Sequence, residues 1–329
     1  MKKLAFKVAF SAKIGSGHLY RCARLSAALK KKGVITYFLI DEKIKKRFLF
    51  LSKHFSFSII KRNIKSEINF LKSENITNLL LDNPKLTFEE QIEYKSGVSK
   101  LFIYQDIPKQ NIADVVINHN YIKQARNIYK KITKKKCKYY LGPKYYLFDN
   151  YRILNSKKNI ISIFLGGNTP RTLLEKILKI INQNNLKNFK IIVFTGIFNK
   201  DFIFLKKKYP AMNLQLKIQK SQKFFFDIVS KSKIFFSAGG STIIESIFLK
   251  TPTIAFLRGK NQLYNCLNLS NDKLIFFSGR TINEKKIQLF INNLINNQKY
   301  YNKFINNLNS FKRNNFKNKL TSDIFNEIK

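Results

Sequence analysis

The sequence predicts an α/β protein with two Rossmann-like halves. Short apolar segments alternate with amphipathic segments of helical spacing, and the alternation restarts after a polar, basic stretch in the middle of the chain. Glycine-rich turns follow apolar segments near residues 15–17, 166–167 and 239–240, as in parallel sheets that bind ligands at strand ends. With 329 residues and 44% hydrophobic content, the chain is long enough for two domains.

The first half opens with a strand, a glycine loop, a helix and a second strand. Residues 4–11 are short and apolar, and Gly33 is placed to end the helix before the β-branched and aromatic residues 34–40. The pattern predicts further strands at 55–61, 78–82, 100–105 and 113–118, and helices at 43–54, 66–74 and 88–96. Polar residues that are either site candidates or simple turn caps fall at or just past strand ends: Asp82, Asp106 and Asn118.

The second half repeats this alternation. Because the strand pattern fades between residues 121 and 138, we place the boundary near residues 150–158 and expect domains of 1–152 and 153–329. Strands are predicted at 160–165, 190–195, 214–219, 233–238 and 253–257. Pro170 suits the first turn of the next helix, where Thr172 and Glu175 have capping-box spacing. The lysine- and asparagine-rich tail beyond Thr281 is predicted to be helical.

The first glycine loop carries a candidate base. Gly15 and Gly17 allow the backbone to approach a ligand closely, and His18 follows at the first turn of the helix. The positive end of a helix disfavours a protonated imidazole, so His18 would be a neutral base. The alternative is a plain glycine-rich turn with a capping histidine.

The last glycine turn, G-G-S-T-I-I-E, is the candidate nucleotide site. Backbone N–H groups at a helix N-terminus hold phosphates, and Glu245, one turn later, could accept hydrogen bonds from a ribose. Thr242 and Glu245 also have the spacing of a capping box, which leaves a purely structural alternative open.

Composition limits the classes of partner. The formal charge is +43, from 62 basic and 19 acidic residues, but the lysines are spread along the chain and no nucleic-acid motif is present, so we expect no specific nucleic-acid partner. Three distant cysteines, Cys22, Cys137 and Cys266, indicate neither a zinc site nor a disulfide framework. We expect no metal and no cofactor.

The N-terminus superficially mimics a signal peptide. Lys7 interrupts its apolar core and the segment runs directly into the glycine loop, so we interpret it as the first strand. No uncharged apolar run approaches the length of a membrane span. We therefore expect a cytoplasmic monomer whose membrane contact is at most weak and peripheral.

Three motifs in this order carry a family resemblance: I-G-S-G-H-L-Y-R-C at residues 14–22, G-G-S-T-I-I-E at 239–245 and N-Q at 261–262. The chain resembles the UDP-sugar hydrolases of pseudaminic acid biosynthesis (PseG, related to SpsG), which are relatives of the MurG glycosyltransferases. The resemblance covers roughly the first 265 residues. It implies the GT-B architecture, in which two Rossmann-like domains face each other across a cleft.

The resemblance also implies an activity and the residues that perform it. The substrate would be UDP-2,4-diacetamido-2,4,6-trideoxy-β-L-altropyranose, hydrolysed to UDP and the free sugar, with His18 activating water. The residues implied for the substrate are Gly15, Gly17, Arg21, Asn261 and Gln262, and we add Asp82 for its place at a strand end. Those implied for UDP are Gly166, Gly167, Gly239, Gly240, Ser241, Thr242 and Glu245.

The chain departs from the family pattern around the expected sugar pocket. The positions that differ are Lys7, Ala9 and Ser11 before the glycine loop, Gln105 in an expected Asp-Asp pair, Asp149 in place of an arginine, and Asn168-Thr169 before Pro170. Three alternatives follow: a glycosyltransferase that passes the sugar to an acceptor, a non-catalytic sugar-nucleotide-binding protein, and, on charge alone, a nucleic-acid-binding protein.

Overall fold

A computed structural model describes residues 1–9, 17–40, 56–59, 63–148, 151, 153, 156–167, 169–184, 186, 188–195, 203–218, 222–316 and 319–328. Its strands are β1 Lys3–Val8, β2 Ile35–Ile40, β3 Ser56–Ile59, β4 Asn78–Asp82, β5 Lys100–Tyr104, β6 Val115–Asn118, β7 Lys138–Leu141, β8 Lys158–Phe164, β9 Lys190–Thr195, β10 Asn213–Ile218, β11 Ser232–Ala238, β12 Thr253–Phe256 and β13 Phe276–Phe277. Its α-helices are α1 Gly17–Lys30, α2 Ile64–Ser73, α3 Phe88–Ser96, α4 Ala125–Ile132, α5 Arg171–Gln183, α6 Ile203–Lys208, α7 Gln222–Val229, α8 Ser241–Phe248, α9 Leu263–Asn271, α10 Glu284–Asn296, α11 Gln298–Asn315 and α12 Leu320–Glu327.

Contacts divide the chain into two units. The first is Met1–Leu147 together with Lys317–Lys329, and the second is Phe148–Phe316. In the first unit, seven parallel strands pair in the order β3-β2-β1-β4-β5-β6-β7; in the second, six pair in the order β10-β9-β8-β11-β12-β13. The α/β class and the helical tail predicted from the sequence are confirmed, whereas the expected helix at 43–54 lies outside the described residues.

The sheet of the first unit is covered on both faces. One face packs apolar side chains of β1 and β5 against α1 and α12, and the other packs β4 and β6 against α2, α3 and α4. Helix α1 turns Leu19, Cys22 and Leu25 inward, as its spacing predicts, and Gly33, at a φ of +81°, follows its end. Each large apolar side chain buried in this way stabilises the fold by roughly 1.5–3 kcal/mol.

Helix α4 lies within residues 121–138, where the strand pattern fades, and strand β7 begins at the end of that stretch; the sequence predicted neither element. Tyr129 is the buried residue of α4, while its neighbours on the helix surface are largely basic. Strand β7 is the edge strand beyond β6, and its tyrosines are half-buried. A helix with one buried residue and a half-buried edge strand show too little apolar periodicity to be predicted from the sequence.

The expected capping box of α5 is also wrong. The helix begins at Arg171 with Pro170 as its N-cap residue, and within the described residues no side chain caps that end. The Glu175 carboxylate instead accepts hydrogen bonds from Arg171 and Lys208. Glu175 thus bonds to Lys208 of helix α6 and does not take part in a capping box with Thr172.

The C-terminal helix belongs to the first unit, not to the second domain as expected. Leu320, Ile324 and Ile328 join the apolar cluster beneath α1. The Glu327 carboxylate accepts hydrogen bonds from Lys100 Nζ at 2.5 Å and Lys138 Nζ at 2.6 Å, and from the Tyr140 hydroxyl at 2.9 Å. The sequence did not predict this placement, because Lys100, Lys138 and Tyr140 lie 227, 189 and 187 residues before Glu327.

None of the helices in the described ranges is both long enough and apolar enough to cross a membrane.

Candidate functional site

His18 lies at the start of α1, beside a buried carboxylate. Helix α1 begins at Gly17, and His18 Nδ1 is 2.7 Å from Asp82 Oδ1. Asp82 is the last residue of β4 and pairs in register with Val8, the last residue of β1, so the ends of the two strands lie side by side. The sequence predicted both residues as site candidates but not their contact. The predicted ligand Gly15 lies outside the described residues.

Asp82 is held in place by several donors. Its side chain is 0% exposed. Arg21, one turn after His18, donates from Nε to Oδ2 at 2.6 Å and from Nη2 to Oδ1 at 2.5 Å, and the Cys22 thiol lies 3.3 Å from Oδ2. A carboxylate with this many donors has one fixed orientation.

The charge state of Asp82 decides the tautomer of His18. Burial acts to raise the pKa of Asp82, but Arg21 and His18 outweigh it and hold that pKa below its usual value. An ionised carboxylate only accepts hydrogen bonds, so His18 Nδ1 carries the proton that bonds to it. The second ring nitrogen, Nε2, is then left unprotonated in the neutral imidazole and can accept a proton.

A second carboxylate completes the cluster. Asp106 lies two residues after β5, the strand next to β4, and its Oδ1 accepts a hydrogen bond from Arg21 Nη1 at 2.5 Å. Asp106 Oδ2 is 3.9 Å from His18 Nε2, and its side chain is 17% exposed. Burial acts to raise the pKa of Asp106, yet Arg21 and His18 together lower it well below its usual range. Both carboxylates are therefore ionised at neutral pH.

Two aromatic side chains, Tyr104 and His119, lie behind Arg21, and no sequence pattern predicted them. The Tyr104 ring centre is 4.0 Å from Arg21 Cζ, and the Tyr104 hydroxyl is 2.7 Å from His119 Nδ1. Burial lowers the pKa of His119 to about 3 and raises that of the Tyr104 hydroxyl, so both groups are neutral at physiological pH and share one hydrogen bond. Tyr104 and His119 lie at the ends of β5 and β6, and only strand pairing reveals that they are neighbours.

The second unit has a different polar edge, built around the turn between β11 and α8. Gly240 is the N-cap residue of α8, and no side chain among the described residues caps this end. The Thr242 hydroxyl is 2.7 Å from that of Ser237 and reaches the Ala238 carbonyl. The capping-box alternative for Thr242 and Glu245 is therefore wrong, because the helix starts before Thr242. Its first N–H groups, beginning with Ser241, lie at an end suited to an anion.

Gly239 and Gln262, both predicted as site residues, lie close together at this turn. A Cβ on Gly239 would lie 2.4 Å from Cys266 Sγ and 3.2 Å from Gln262 Cβ, and one on Gly240 would lie 3.5 Å from Gln262 Nε2. Only glycine at 239 allows α9 and Gln262 to approach this closely. The predicted N-Q motif thus contacts the predicted nucleotide turn through Gln262, while Asn261 lies one residue earlier, beside Gly259.

Arg258, which the sequence reasoning missed, joins the turns of the second unit. Its Nη1 donates to the Leu165 carbonyl at 2.7 Å, and its backbone N–H donates to Gln262 Oε1 at 2.9 Å. A Cβ on Gly166 would lie 3.3 Å from that Nη1, and Gly166 has a φ of +94°. The arginine thereby lies between the Gly166–Gly167 turn and Gln262. The sequence reasoning missed Arg258 because a single arginine after a strand does not stand out in a chain with 62 basic residues.

Glu245 lies within α8 and is only 3% exposed. Its contact with a ribose, inferred from position alone, remains a prediction.

Two successive units with parallel sheets, each carrying helices and polar strand ends, give the chain a MurG-like GT-B fold. A crystal structure of MurG from Acinetobacter baumannii matches with a TM-score of 0.72 at 10% identity, covering 100% of this chain and 99% of that one. UDP-GlcNAc 2-epimerase from Neisseria meningitidis, bound to UDP-GlcNAc, matches with a TM-score of 0.64 at 13% identity, covering 99% of both chains. The spinosyn rhamnosyltransferase SpnG, complexed with thymidine diphosphate, matches with a TM-score of 0.61 at 10% identity, covering 98% of this chain and 100% of that one.

No protein-family model matches the sequence. No curated protein matches it either.

Proposed function

We propose that this protein is an enzyme that hydrolyses a UDP-sugar, releasing UDP and the free sugar. The observation that carries the proposal is the 2.7 Å contact between His18 Nδ1 and the buried Asp82 carboxylate. It leaves Nε2 as a base at the end of a parallel sheet, where such folds bind ligands. The order of the three motifs supports the PseG-like class, with UDP-2,4-diacetamido-2,4,6-trideoxy-β-L-altropyranose as its substrate.

The proposed chemistry assigns the base to the first unit. Water loses a proton to His18 Nε2 as its oxygen attacks the anomeric carbon, and the bond from that carbon to the diphosphate breaks. Asp82 stabilises the imidazolium that forms, because it is ionised and fixed by Arg21. We therefore assign Asp82 and Arg21 to positioning His18, since their contacts are made with each other and with the base.

The nucleotide is assigned to the second unit. The N-terminus of α8, behind Gly239 and Gly240, offers backbone donors to a diphosphate. Arg258 adds a cation beside the Gly166 turn. UDP-GlcNAc and thymidine diphosphate are bound by two proteins of similar fold, which supports a nucleotide diphosphate here. UDP is a good leaving group once its charge is held by such donors.

The direct test is UDP release from this UDP-altrose substrate without any acceptor, by the wild type and by His18→Ala. We expect release by the wild type, loss of release by the variant, and nearly equal UDP binding by calorimetry. An active variant would remove His18 as the base, and an inactive wild type that binds UDP would exclude this hydrolysis.

A glycosyltransferase is the second candidate, because two of the proteins of similar fold are a MurG and a rhamnosyltransferase. His18 would then take a proton from an acceptor hydroxyl. Acceptor-dependent UDP release, with no release in water alone, would favour transfer over hydrolysis.

A further inference from the structure

Two acceptor atoms flank one position beside His18. Nε2 of His18 and Oδ2 of Asp106 are 3.9 Å apart, which is too far for a direct hydrogen bond. A single water at an ordinary hydrogen-bond length of about 2.8 Å can touch both atoms. Neither side chain is fully buried, since His18 is 12% exposed and Asp106 is 17% exposed.

The orientation of Asp106 is fixed from its other oxygen. Arg21 Nη1 bonds to Oδ1, and Arg21 is in turn held by Asp82 and by the Tyr104 ring. Oδ2 is thereby turned toward Nε2. A carboxylate oxygen accepts more than one hydrogen bond, so this role is compatible with its other contacts.

We propose that Asp106 is a further catalytic residue, which together with His18 holds the attacking water and selects water over an alcohol as the nucleophile. This inference rests on the proposed hydrolysis. Water has two O–H groups, so one can bond to Nε2 and the other to Oδ2 while a lone pair stays available for attack. An alcohol has one O–H group, and its carbon would have to face the carboxylate.

The step is balanced. The O–H bond toward His18 breaks and its proton moves to Nε2, while the water oxygen bonds to the anomeric carbon. The bond from that carbon to the diphosphate oxygen breaks, and the electron pair leaves with UDP. The second hydrogen stays on the oxygen as the new hydroxyl of the sugar, bonded to Asp106, and the Nε2 proton returns to solvent.

Asp106→Asn tests the acceptor without removing the contact with Arg21. Because Arg21 only donates, the amide oxygen must occupy the Oδ1 position, which places the NH₂ group where Oδ2 was. The variant then presents donors to the water. Asp114→Asn is the matched control, since Asp114 is also bonded by cations, Lys95 and Lys135, but lies at the other end of β5 and β6.

The readout is the partition between free sugar and methyl glycoside when the UDP-altrose substrate is turned over at one fixed methanol concentration. For Asp106→Asn we expect hydrolysis to fall about 10-fold to 100-fold, methanolysis to fall less, and the methyl glycoside fraction to rise. Asp114→Asn should match the wild type in both. An unchanged partition in Asp106→Asn, whatever its rate, overturns the inference while leaving hydrolysis established.

A measurement that needs no turnover keeps the inference testable if this variant fails to fold or the wild type releases no UDP. In a high-resolution crystal structure of the wild type, we expect an ordered water within hydrogen-bond distance of both His18 Nε2 and Asp106 Oδ2. A direct bond between the two residues, or another side chain in that position, would overturn the role of Asp106. Absence of UDP release by the wild type counts only against the proposed function.

Discussion

The carboxyl edges of the two sheets are built from opposite chemistry. In the first unit, two ionised carboxylates at the strand ends, Asp82 and Asp106, pair with Arg21 of α1 around His18. In the second, the described strand ends carry glycines, hydroxyls and an amide around the start of α8, with Arg258 beside them. A parallel sheet places ligand-binding residues at this edge but does not fix their chemistry. One edge is suited to moving a proton, and the other to holding an anion.

The largest expected effect separates these two roles. His18→Gln removes the base while keeping a polar side chain, so turnover should fall by about 10²–10⁴-fold with UDP affinity unchanged within about twofold. Steady-state kinetics with UDP calorimetry measures both quantities. A matching loss of UDP affinity would show that the first unit also holds the nucleotide.

The reverse experiment is on the second unit. Arg258→Gln keeps a donor for the Leu165 carbonyl but removes the cation, so UDP should bind about tenfold more weakly. The pH dependence of turnover at saturating substrate should stay unchanged, because the base lies elsewhere. A shifted pH profile would contradict the division between the two edges.

A smaller effect tests the packing of the nucleotide turn. Gly239→Ala places a methyl group 2.4 Å from Cys266 Sγ, so we expect a loss of about 1–3 kcal/mol in the free energy of unfolding and weaker UDP binding. Gly240→Ala is the control, since its nearest contact would be an ordinary 3.5 Å to Gln262 Nε2. Denaturant unfolding of both variants makes the comparison, and equal losses would argue against the close approach.

The smallest expected effect concerns the Glu327 carboxylate, whose charge stabilises the fold of the first unit away from His18. Burial acts to raise the pKa of Glu327, but hydrogen bonds from Lys100, Lys138 and Tyr140 lower it to about 2. A depressed carboxyl pKa stabilises the fold above the pKa of the unfolded chain, and this contribution is lost as the pH falls toward about 2. Glu327→Gln should therefore cost about 1 kcal/mol at pH 7 and progressively less below about pH 4.

The control for that prediction is Glu93→Gln, which changes an exposed glutamate of α3 in the same unit. Its stability should follow that of the wild type at every pH in urea titrations. A Glu327→Gln penalty that persists at low pH would point to packing rather than charge.

Local pattern was enough to predict the strands and turns on which His18, Asp82 and Gly239 lie; the roles of these residues stay predictions. Alternating apolar segments and glycine turns depend only on residues that are close in the chain, so they can be recognised in the sequence. The Arg21–Asp82–Asp106 cluster and the Tyr104–His119 contact were not predictable, because they depend on which strands become neighbours. Helix α4 and strand β7 were missed because their burial is one-sided.

The placement of the last helix has a consequence for the order in which the protein is made. Leu320, Ile324 and Glu327 complete the first unit, yet they follow the whole of the second unit in the chain. All residues of the second unit, Phe148–Phe316, are synthesised before them. The nascent protein therefore cannot complete the packing around β1 until both the second unit and α12 have been synthesised.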